Sequence, residues 1–183
     1  STSHNCFLLT GYAGTGKTSI LGTLVKVLST NKFKTRLLAP TGRAAKVLSL
    51  KSKKVAFTIH KQIYRRKSKT DEYSGMSISP NLHTNTIFIV DEASMIGDYS
   101  VMSDGTIGSR NLLADLIEYV FSGKDCKLIF LGDEGQLPPV GSDTSPALNK
   151  ALLKSHFFGI SIFDFQLKKV LRQAEKSGIL HNA

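Results

Sequence analysis

A glycine-rich stretch that ends in lysine and threonine has the composition of a phosphate-binding loop. Residues 11–18 read GYAGTGKT, which matches G-x-x-x-x-G-K-[ST], and they directly follow the apolar run 6–10. Glycines let successive backbone N–H groups converge on phosphate oxygens, and a following helix points its positive end at them. The pattern predicts that Lys17 acts catalytically on the β- and γ-phosphates and that Thr18 ligates Mg²⁺. The predicted nucleotide-binding residues are Gly11, Ala13, Gly14, Thr15, Gly16, Lys17, Thr18 and Ser19.

Two adjacent carboxylates follow a second apolar run, TIFIV at residues 86–90. A phosphate site of this class takes its metal partner from an acidic residue at the end of a neighbouring strand. We therefore expect Asp91 to hold Mg²⁺ through water and Glu92 to polarise the attacking water. Because side chains alternate along a strand, the two carboxylates are expected to face different ways. The alternative is a pair of solvated carboxylates at a strand end.

The stretch LGDEGQLPPV, residues 131–140, ends another apolar run with a glutamine between a glycine and two prolines. Glutamine can accept a hydrogen bond from water and donate one to a γ-phosphate oxygen at the same time. Gln136 is therefore predicted to be a catalytic residue that senses the γ-phosphate, with a solvent-facing amide as the alternative. This interpretation requires Lys17, Asp91 and Gln136 to meet around one metal-bound triphosphate.

The apolar runs that carry these residues predict the fold. They lack polar alternation, which is typical of parallel strands covered on both faces, and segments with helical spacing lie between them. The alternation predicts an α/β protein with a parallel sheet and helices on both faces. The polar segment 61–85 is long enough for an inserted β-hairpin, and 97–110 is expected to be a mobile loop. The predicted strands are 6–10, 35–39, 86–90 and 127–131, and the predicted helices are 19–28, 43–50 and 111–121.

The charge of the chain is distributed unevenly. The net charge is +10, and the first 70 of the 183 residues carry 15 Lys and Arg and no acid. Such an asymmetry favours a polyanion partner, although a solvated basic face is equally possible. No apolar run is long enough to span a membrane, and the two cysteines are expected to be buried thiols in a reducing cytoplasm.

Several classes of nucleotide-binding protein do not fit the motifs. Residues 31–34 read NKFK, with Lys where a G protein needs Asp, and the Ser-Gly-Gly-Gln signature of ABC ATPases is absent. A small-molecule kinase needs arginines late in the chain for its lid, and beyond Arg110 the sequence has Arg172 alone. A kinase therefore remains an alternative, as does a nucleic-acid-binding module that never turns over.

The order of five motifs resembles the first RecA-like motor domain of superfamily 1 DNA helicases, in the RecD- and Dda-like 5′-to-3′ branch. The motifs are GYAGTGKT (11–18), LAPTGRAA (38–45) with TIH (58–60), DEASM (91–95), GDEGQLP (132–138) and LRQ (171–173). The resemblance runs from about Phe7 to Gln173 and implies a P-loop fold, ATP and Mg²⁺ as cofactors, and hydrolysis coupled to movement along single-stranded DNA.

The resemblance also implies roles for residues outside the phosphate site. Arg172 matches an arginine that reaches the γ-phosphate and stabilises the transition state. The segment after His60 stands where this branch carries a strand-separating pin, on which Tyr64 and Tyr73 could stack against a base, with a solvated hairpin as the alternative. The residues implied to line the DNA track are Pro40, Thr41, Gly42, Arg43, Thr58 and His60.

Helicases of this kind need two RecA-like domains, and the sequence carries the motifs of one. We expect a motor domain at residues 1–170 and the start of a linker to a second RecA-like domain at 171–183. We also expect the chain alone to bind nucleotide, to hydrolyse it slowly and not to unwind DNA.

Overall fold

The structure is a computed structural model that describes residues 4–66, 76–97, 111–136, 138–139, 144–157 and 159–168. The strands in these ranges are β1 (His4–Gly11), β2 (Lys34–Ala39), β3 (Ala56–Thr58), β4 (Tyr64–Arg66), β5 (Met76–Ile78), β6 (Thr86–Val90), β7 (Lys127–Gly132) and β8 (Ile160–Leu167). The helices are α1 (Lys17–Thr30), α2 (Gly42–Ser52), α3 (Ile59–Ile63), α4 (Leu112–Ser122) and α5 (Lys150–His156), with 3₁₀ turns at Ala93–Met95 and Pro146–Leu148.

Six of these strands form one parallel sheet in the order β3-β2-β6-β7-β1-β8. The predicted α/β fold with a parallel sheet is confirmed, and each predicted strand and helix is present. Strands β6, β7 and β1 are neighbours, so their carboxyl ends lie side by side at one edge of the sheet. The segments that carry Asp91, Gln136 and Lys17 all leave the sheet at this edge.

Burial on both faces explains why the central strands are apolar throughout. On β6, Phe88 belongs to a cluster that includes Leu116 of α4, whereas its neighbour Ile89 belongs to a cluster that includes Leu21 of α1 and Leu48 of α2. Phe88 and Ile89 are both 0% exposed. Helices therefore cover both faces, as the absence of polar alternation predicts.

The predicted hairpin is present but shorter than the polar segment that suggested it. Strands β4 and β5 pair antiparallel, with Tyr64 opposite Ile78. The segment's first residues, from Lys61, belong instead to α3, because Thr58 begins that helix by accepting a hydrogen bond from the Lys61 N–H. The residues between the two strands, including Tyr73, lie outside the described part of the chain.

Tyr64 anchors the base of this hairpin. Its hydroxyl donates to a carboxylate oxygen of Asp115 at 2.7 Å, and Asp115 is a buried residue of α4. The ring packs against the cluster that contains Phe88. These contacts give Tyr64 a structural role and offer no support for the hypothesis that it stacks on a base.

Strand β8 forms one edge of the sheet and was not predicted. Within it Ile162 is buried, whereas Phe163 and Phe165 are each 59% exposed. The predicted burial of the cysteines is confirmed, since Cys6 and Cys126 are both buried and free, and burial raises the pKa of Cys6 to about 12. Within the described ranges, each helix is too short or too polar to cross a lipid bilayer.

Candidate nucleotide and nucleic-acid sites

The phosphate loop has a backbone that glycine makes possible. Gly14 and Gly16 have φ angles of 82° and 86°, a region that side chains with a Cβ disfavour. Gly16 begins α1 and gives it no side-chain cap, whereas the other four α-helices in the described residues are capped by side chains. The first N–H groups of α1 therefore have no side-chain acceptor there, which suits an anion. The capping residues of the other helices are Thr41, Thr58, Asn111 and Asn149.

The loop is wound tightly against the end of the sheet. A Cβ on Gly11 would lie 2.7 Å from Oγ1 of Thr15 and 2.9 Å from Cβ of Leu167 in β8. The Thr15 hydroxyl is buried and donates to the carbonyl of Tyr12 at 2.8 Å. These contacts of Gly11 and Thr15 fix the shape of the phosphate loop.

The ammonium group of Lys17 has three partners. It donates to the backbone carbonyls of Gly11 and of Tyr12, the latter at 3.0 Å, and it pairs with Oδ2 of Asp133 at 3.3 Å. Asp133 follows β7 and is 3% exposed, and its Oδ1 accepts the N–H of Gly135 at 2.9 Å. The lysine of the phosphate loop is thus joined to the segment that carries Gln136.

The two carboxylates after β6 are oriented by a turn rather than by strand alternation. The strand ends at Val90, and the N–H of Asp91 donates to the carbonyl of Leu38 at 3.0 Å. Glu92 has a left-handed backbone with φ 55° and begins the 3₁₀ turn, so the expected alternation between Asp91 and Glu92 does not set their directions. Burial, and then the charge of Glu92, raise the pKa of Asp91, while the cations Lys51 and Lys17 oppose the rise.

Gln136 is held by a residue of the same turn. The hydroxyl of Ser94 donates to Oε1 of Gln136 at 2.9 Å, and Ser94 is 0% exposed. The backbone N–H of Gln136 donates to the carbonyl of Asp133 at 3.2 Å. The side-chain oxygen of Gln136 therefore already accepts a hydrogen bond. The –NH₂ group is the part of the amide that can donate one.

One cavity brings together Glu92 and Gln136, two of the four predicted catalytic residues, and the predicted metal ligands Thr18 and Asp91. Its volume is about 360 Å³, and it lies at the carboxyl edge of the sheet. Lys17 does not line this cavity and lies against Asp133 instead. The side chains of Arg43 and Lys51 place positive charge beside the two carboxylates. The lining residues are Thr18, Thr41, Arg43, Ala44, Val47, Lys51, Asp91, Glu92, Met95 and Gln136.

The residues implied to contact DNA are gathered at the ends of β2 and β3. The pairing register sets Ala39 opposite Thr58, which brings the chain after each strand to the same edge. Thr41 caps α2 by accepting from the Ala44 N–H at 3.2 Å, and Thr58 caps α3 in the same way. His60 is exposed, and its ring centroid lies 5.5 Å from that of Tyr64.

Comparison with known proteins identifies the family. A family model described as "AAA domain" matches residues 1–181. The chain belongs to the AAA domain family. The RecBCD enzyme subunit RecD of Buchnera aphidicola is 34% identical over 162 residues, which are 77% of this chain and 24% of that protein. The ATP-dependent RecD2 DNA helicase of Deinococcus radiodurans is 28% identical over 184 residues, 98% of this chain and 21% of that protein.

A solved structure shows the same fold. The Pif1 helicase of Candida albicans superposes with a TM-score of 0.54 at 19% identity, over 92% of this chain and 37% of that one. The resemblance to a 5′-to-3′ superfamily 1 motor domain is confirmed by these relatives. The AAA domain spans about a quarter of the length of RecD and about a fifth of that of RecD2.

The acid-free first part of the AAA domain is rich in cations that have no acidic partner. Lys17 pairs with Asp133, but among the described residues from 18 to 65 no Lys or Arg pairs with a carboxylate. The guanidinium carbon of Arg36 lies 5.3 Å from the centre of the Phe57 ring, and Nζ of Lys61 lies 5.8 Å from it. We call Arg36, Phe57 and Lys61 the basic edge, because Phe57 belongs to the edge strand β3.

Three residues at the site of the AAA domain were not predicted from the sequence, namely Lys51, Ser94 and Asp133. Ser94 and Asp133 stand inside quoted motifs, and a polar residue within an apolar turn is a signal that a buried partner exists. Lys51 carries no such signal, because it reaches the cavity only through the packing of α2. Arg172, implied to act on the γ-phosphate, lies outside the described residues.

Proposed function

We propose that this AAA domain is the ATP-binding and ATP-hydrolysing motor domain of a DNA helicase that moves along single-stranded DNA. The observation that carries the proposal is the shared cavity at the carboxyl edge of the sheet. Thr18, Asp91, Glu92 and Gln136 come from three different segments and line the same space of about 360 Å³. Groups of this kind, brought together after parallel strands, support phosphoryl chemistry.

The residues present fit a magnesium nucleotide. The left-handed glycines and the start of α1 without a side-chain cap suit phosphate oxygens. Thr18 and Asp91 supply a hydroxyl and a carboxylate to one cavity, the oxygen ligands that Mg²⁺ prefers. Bound magnesium would neutralise negative charge on the phosphates.

Glu92 and Gln136 would carry the hydrolytic step. Glu92 accepts a proton from the attacking water as the water oxygen bonds to the γ-phosphorus and the bond to the β–γ bridging oxygen breaks. ADP leaves with that bridging oxygen, and the proton passes to solvent with the released phosphate. Gln136, held through its oxygen by Ser94, would donate from its –NH₂ group to a γ-phosphate oxygen.

The DNA part of the proposal is supported by the segments that follow β2 and β3. Residues 40–43 and 58–60 offer helix N-termini, hydroxyls and the guanidinium group of Arg43 beside one another. A capping threonine still has its own O–H to donate to a phosphate. Contacts of this type hold the backbone without reading bases, as movement along any sequence requires.

The whole helicase would contain a second RecA-like domain, joined after residues 171–183. In that assembly residues 1–170 form the first motor domain and Arg172 approaches the γ-phosphate at the interdomain cleft. The length of the RecD and RecD2 relatives supports this arrangement. The chain alone would therefore turn over slowly and leave duplex DNA intact.

The test is phosphate release from ATP and Mg²⁺, with and without single-stranded DNA, for the wild type and for Lys17→Ala. We expect slow turnover that DNA changes and that Lys17→Ala reduces to background. Equal, brisk rates in all of these assays would refute the assignment. Phosphate transfer to a small acceptor instead of water would indicate a kinase, and binding of nucleotide without any turnover would indicate a binding module. A parallel arm with single-stranded RNA tests the preference for DNA.

A further inference from the structure

We propose that Asp133 is a positioning residue that competes with the nucleotide phosphates for Lys17 and thereby couples phosphate binding to the position of Gln136. This inference rests on the proposed function. It concerns an ion pair between the phosphate loop and the segment 133–136, which we call the sensor loop. No role for Asp133 follows from the nucleotide site described above.

The competition follows from the number of donors on an ammonium group. Lys17 has three N–H donors, and they have three partners: the carbonyls of Gly11 and Tyr12 and the carboxylate of Asp133. A phosphate oxygen can bind Lys17 only if one partner is given up or shared. Asp133 lies farther away than Tyr12, at 3.3 Å against 3.0 Å, and as an anion it repels phosphate. Asp133 is therefore the partner that phosphate displaces.

Displacement leaves Asp133 in an unfavourable position. The carboxylate is 3% exposed, and its other described partner is the N–H of Gly135 at 2.9 Å. A buried carboxylate with one hydrogen bond and no cation is costly. The sensor loop must then move until the carboxylate reaches water or another cation.

Such a movement reaches Gln136 directly. The carbonyl of Asp133 accepts the N–H of Gln136 at 3.2 Å, so the two residues shift together. The loop also touches the phosphate loop at a second point, because a Cβ on Gly135 would lie 2.9 Å from Cδ1 of Tyr12. Two contacts, one ionic and one steric, therefore link the phosphate loop to the loop that carries Gln136, the residue proposed to sense the γ-phosphate.

The first test measures nucleotide affinity at equilibrium, with a fluorescent ADP analogue and Mg²⁺ and with pyrophosphate as competitor. Asp133→Asn keeps an acceptor for the Gly135 N–H but removes the competing charge. We expect about three- to tenfold tighter binding of both ligands, the effect of losing one partly buried competitor. The matched control is Asp164→Asn, which removes the same charge from an exposed pair with Lys150 and should leave affinity unchanged.

Unchanged or weaker binding by folded Asp133→Asn overturns the inference while leaving the proposed function intact. A wild type that binds neither ligand overturns both. Thermal unfolding of each variant checks the fold. If Asp133→Asn does not fold, amide hydrogen exchange in the wild type decides: pyrophosphate should accelerate exchange at Gly135 and Gln136 by about threefold or more, because the loop is released. Slower or unchanged exchange would contradict the coupling.

Discussion

The nucleotide cavity and the basic edge are both suited to phosphate, but they are built by different physical means. Behind the residues that line the cavity, buried Ser94 pairs with Gln136 and buried Asp133 pairs with Lys17. At the basic edge, Arg36 and Lys61 lie over the ring of Phe57 and have no acidic partner among the described residues. One region is defined by geometry and the other by charge.

This difference predicts how each region responds to mutation. A preorganised site acts on charge that develops in the transition state, so loss of one group costs orders of magnitude in rate. A charged surface spreads its interaction over many phosphates, so loss of one cation costs little and shows mainly as a change in salt dependence. The two regions should therefore be separable by single substitutions.

The largest effect should come from Glu92→Gln. The variant keeps the shape of the side chain but cannot take a proton, so ATP turnover should fall by about 100-fold or more. ADP affinity should stay within about threefold of the wild-type value, because the phosphate loop is unchanged. Single-turnover phosphate release and fluorescent-nucleotide binding provide the two measurements.

The control for Glu92→Gln is Glu118→Gln, which makes the same chemical change on the exposed face of α4. Turnover by Glu92→Gln above about a tenth of the wild-type rate would mean that Glu92 is not the base. The cavity would then have to be regarded as a binding site.

A smaller loss is expected from Ser94→Ala. The hydroxyl fixes Oε1 of Gln136, so its removal should lower kcat by about tenfold, within the range for one lost orienting contact, and leave KM nearly unchanged. Steady-state kinetics separate these parameters. Ser122→Ala, which removes a hydroxyl that donates to the Tyr119 carbonyl at the end of α4, is the matched control. A rise in KM at constant kcat would show that Ser94 shapes binding instead.

Arg36→Ala tests the other side of the comparison. We expect single-stranded DNA affinity to fall by about three- to tenfold, and the slope of log affinity against log salt to decrease by about 0.7, the value for one phosphate contact. Fluorescence anisotropy across a salt series measures both. Lys150→Ala, which removes the cation of an exposed ion pair, should change neither quantity. An unaltered slope for Arg36→Ala would show that Arg36 of the basic edge does not contact a DNA phosphate.

The smallest effect concerns His83, which lies near the basic edge. Burial and the charges of Arg36 and Lys34 lower its pKa from 6.5, and Nε2 of Gln62 lies 3.3 Å from Nε2 of the ring. His83 therefore binds a proton more readily in the unfolded chain than in the folded one. The stability present above pH 6.5 is lost as the pH falls through the pKa of His83 in the folded state. We expect a decrease in Tm on the order of 1 °C.

This pH dependence can be assigned by substitution. His83→Gln should flatten it, whereas His60→Gln, at an exposed ring, should preserve it. Thermal unfolding monitored by circular dichroism on both sides of pH 6.5 measures the difference. Equal slopes for wild type and His83→Gln would show that His83 is not the source of this pH dependence.

The central fold was predictable because burial on both faces leaves a signature in each strand. Residues such as Phe88 and Ile89 are apolar without alternation, and the helical spacing between runs is regular. Strand β8 lacks that signature, since Ile162 is its sole buried residue while Phe163 and Phe165 are exposed. Strand β3 and helix α5 are too short to produce a periodic pattern.

The site was predictable where a motif dictates geometry and not where tertiary packing does. The glycines and Thr18 follow from local chemistry, and the common cavity follows from parallel strands ending at one edge. The pair between Lys17 and Asp133 joins residues 116 positions apart. The left-handed turn at Glu92 begins directly after the predicted strand and sets the directions of the two carboxylates in place of strand alternation. Neither feature has a periodicity or a spacing that sequence can reveal.

The two native thiols of this protein should react little with thiol-labelling reagents. Cys6 and Cys126 are both buried, and a thiol with a pKa of about 12 at Cys6 is almost wholly protonated near neutrality, so maleimide dyes should react with it slowly. The chain also has no tryptophan. A single cysteine in place of exposed Glu134 would therefore carry nearly all the label and report in real time on the segment beside Gln136.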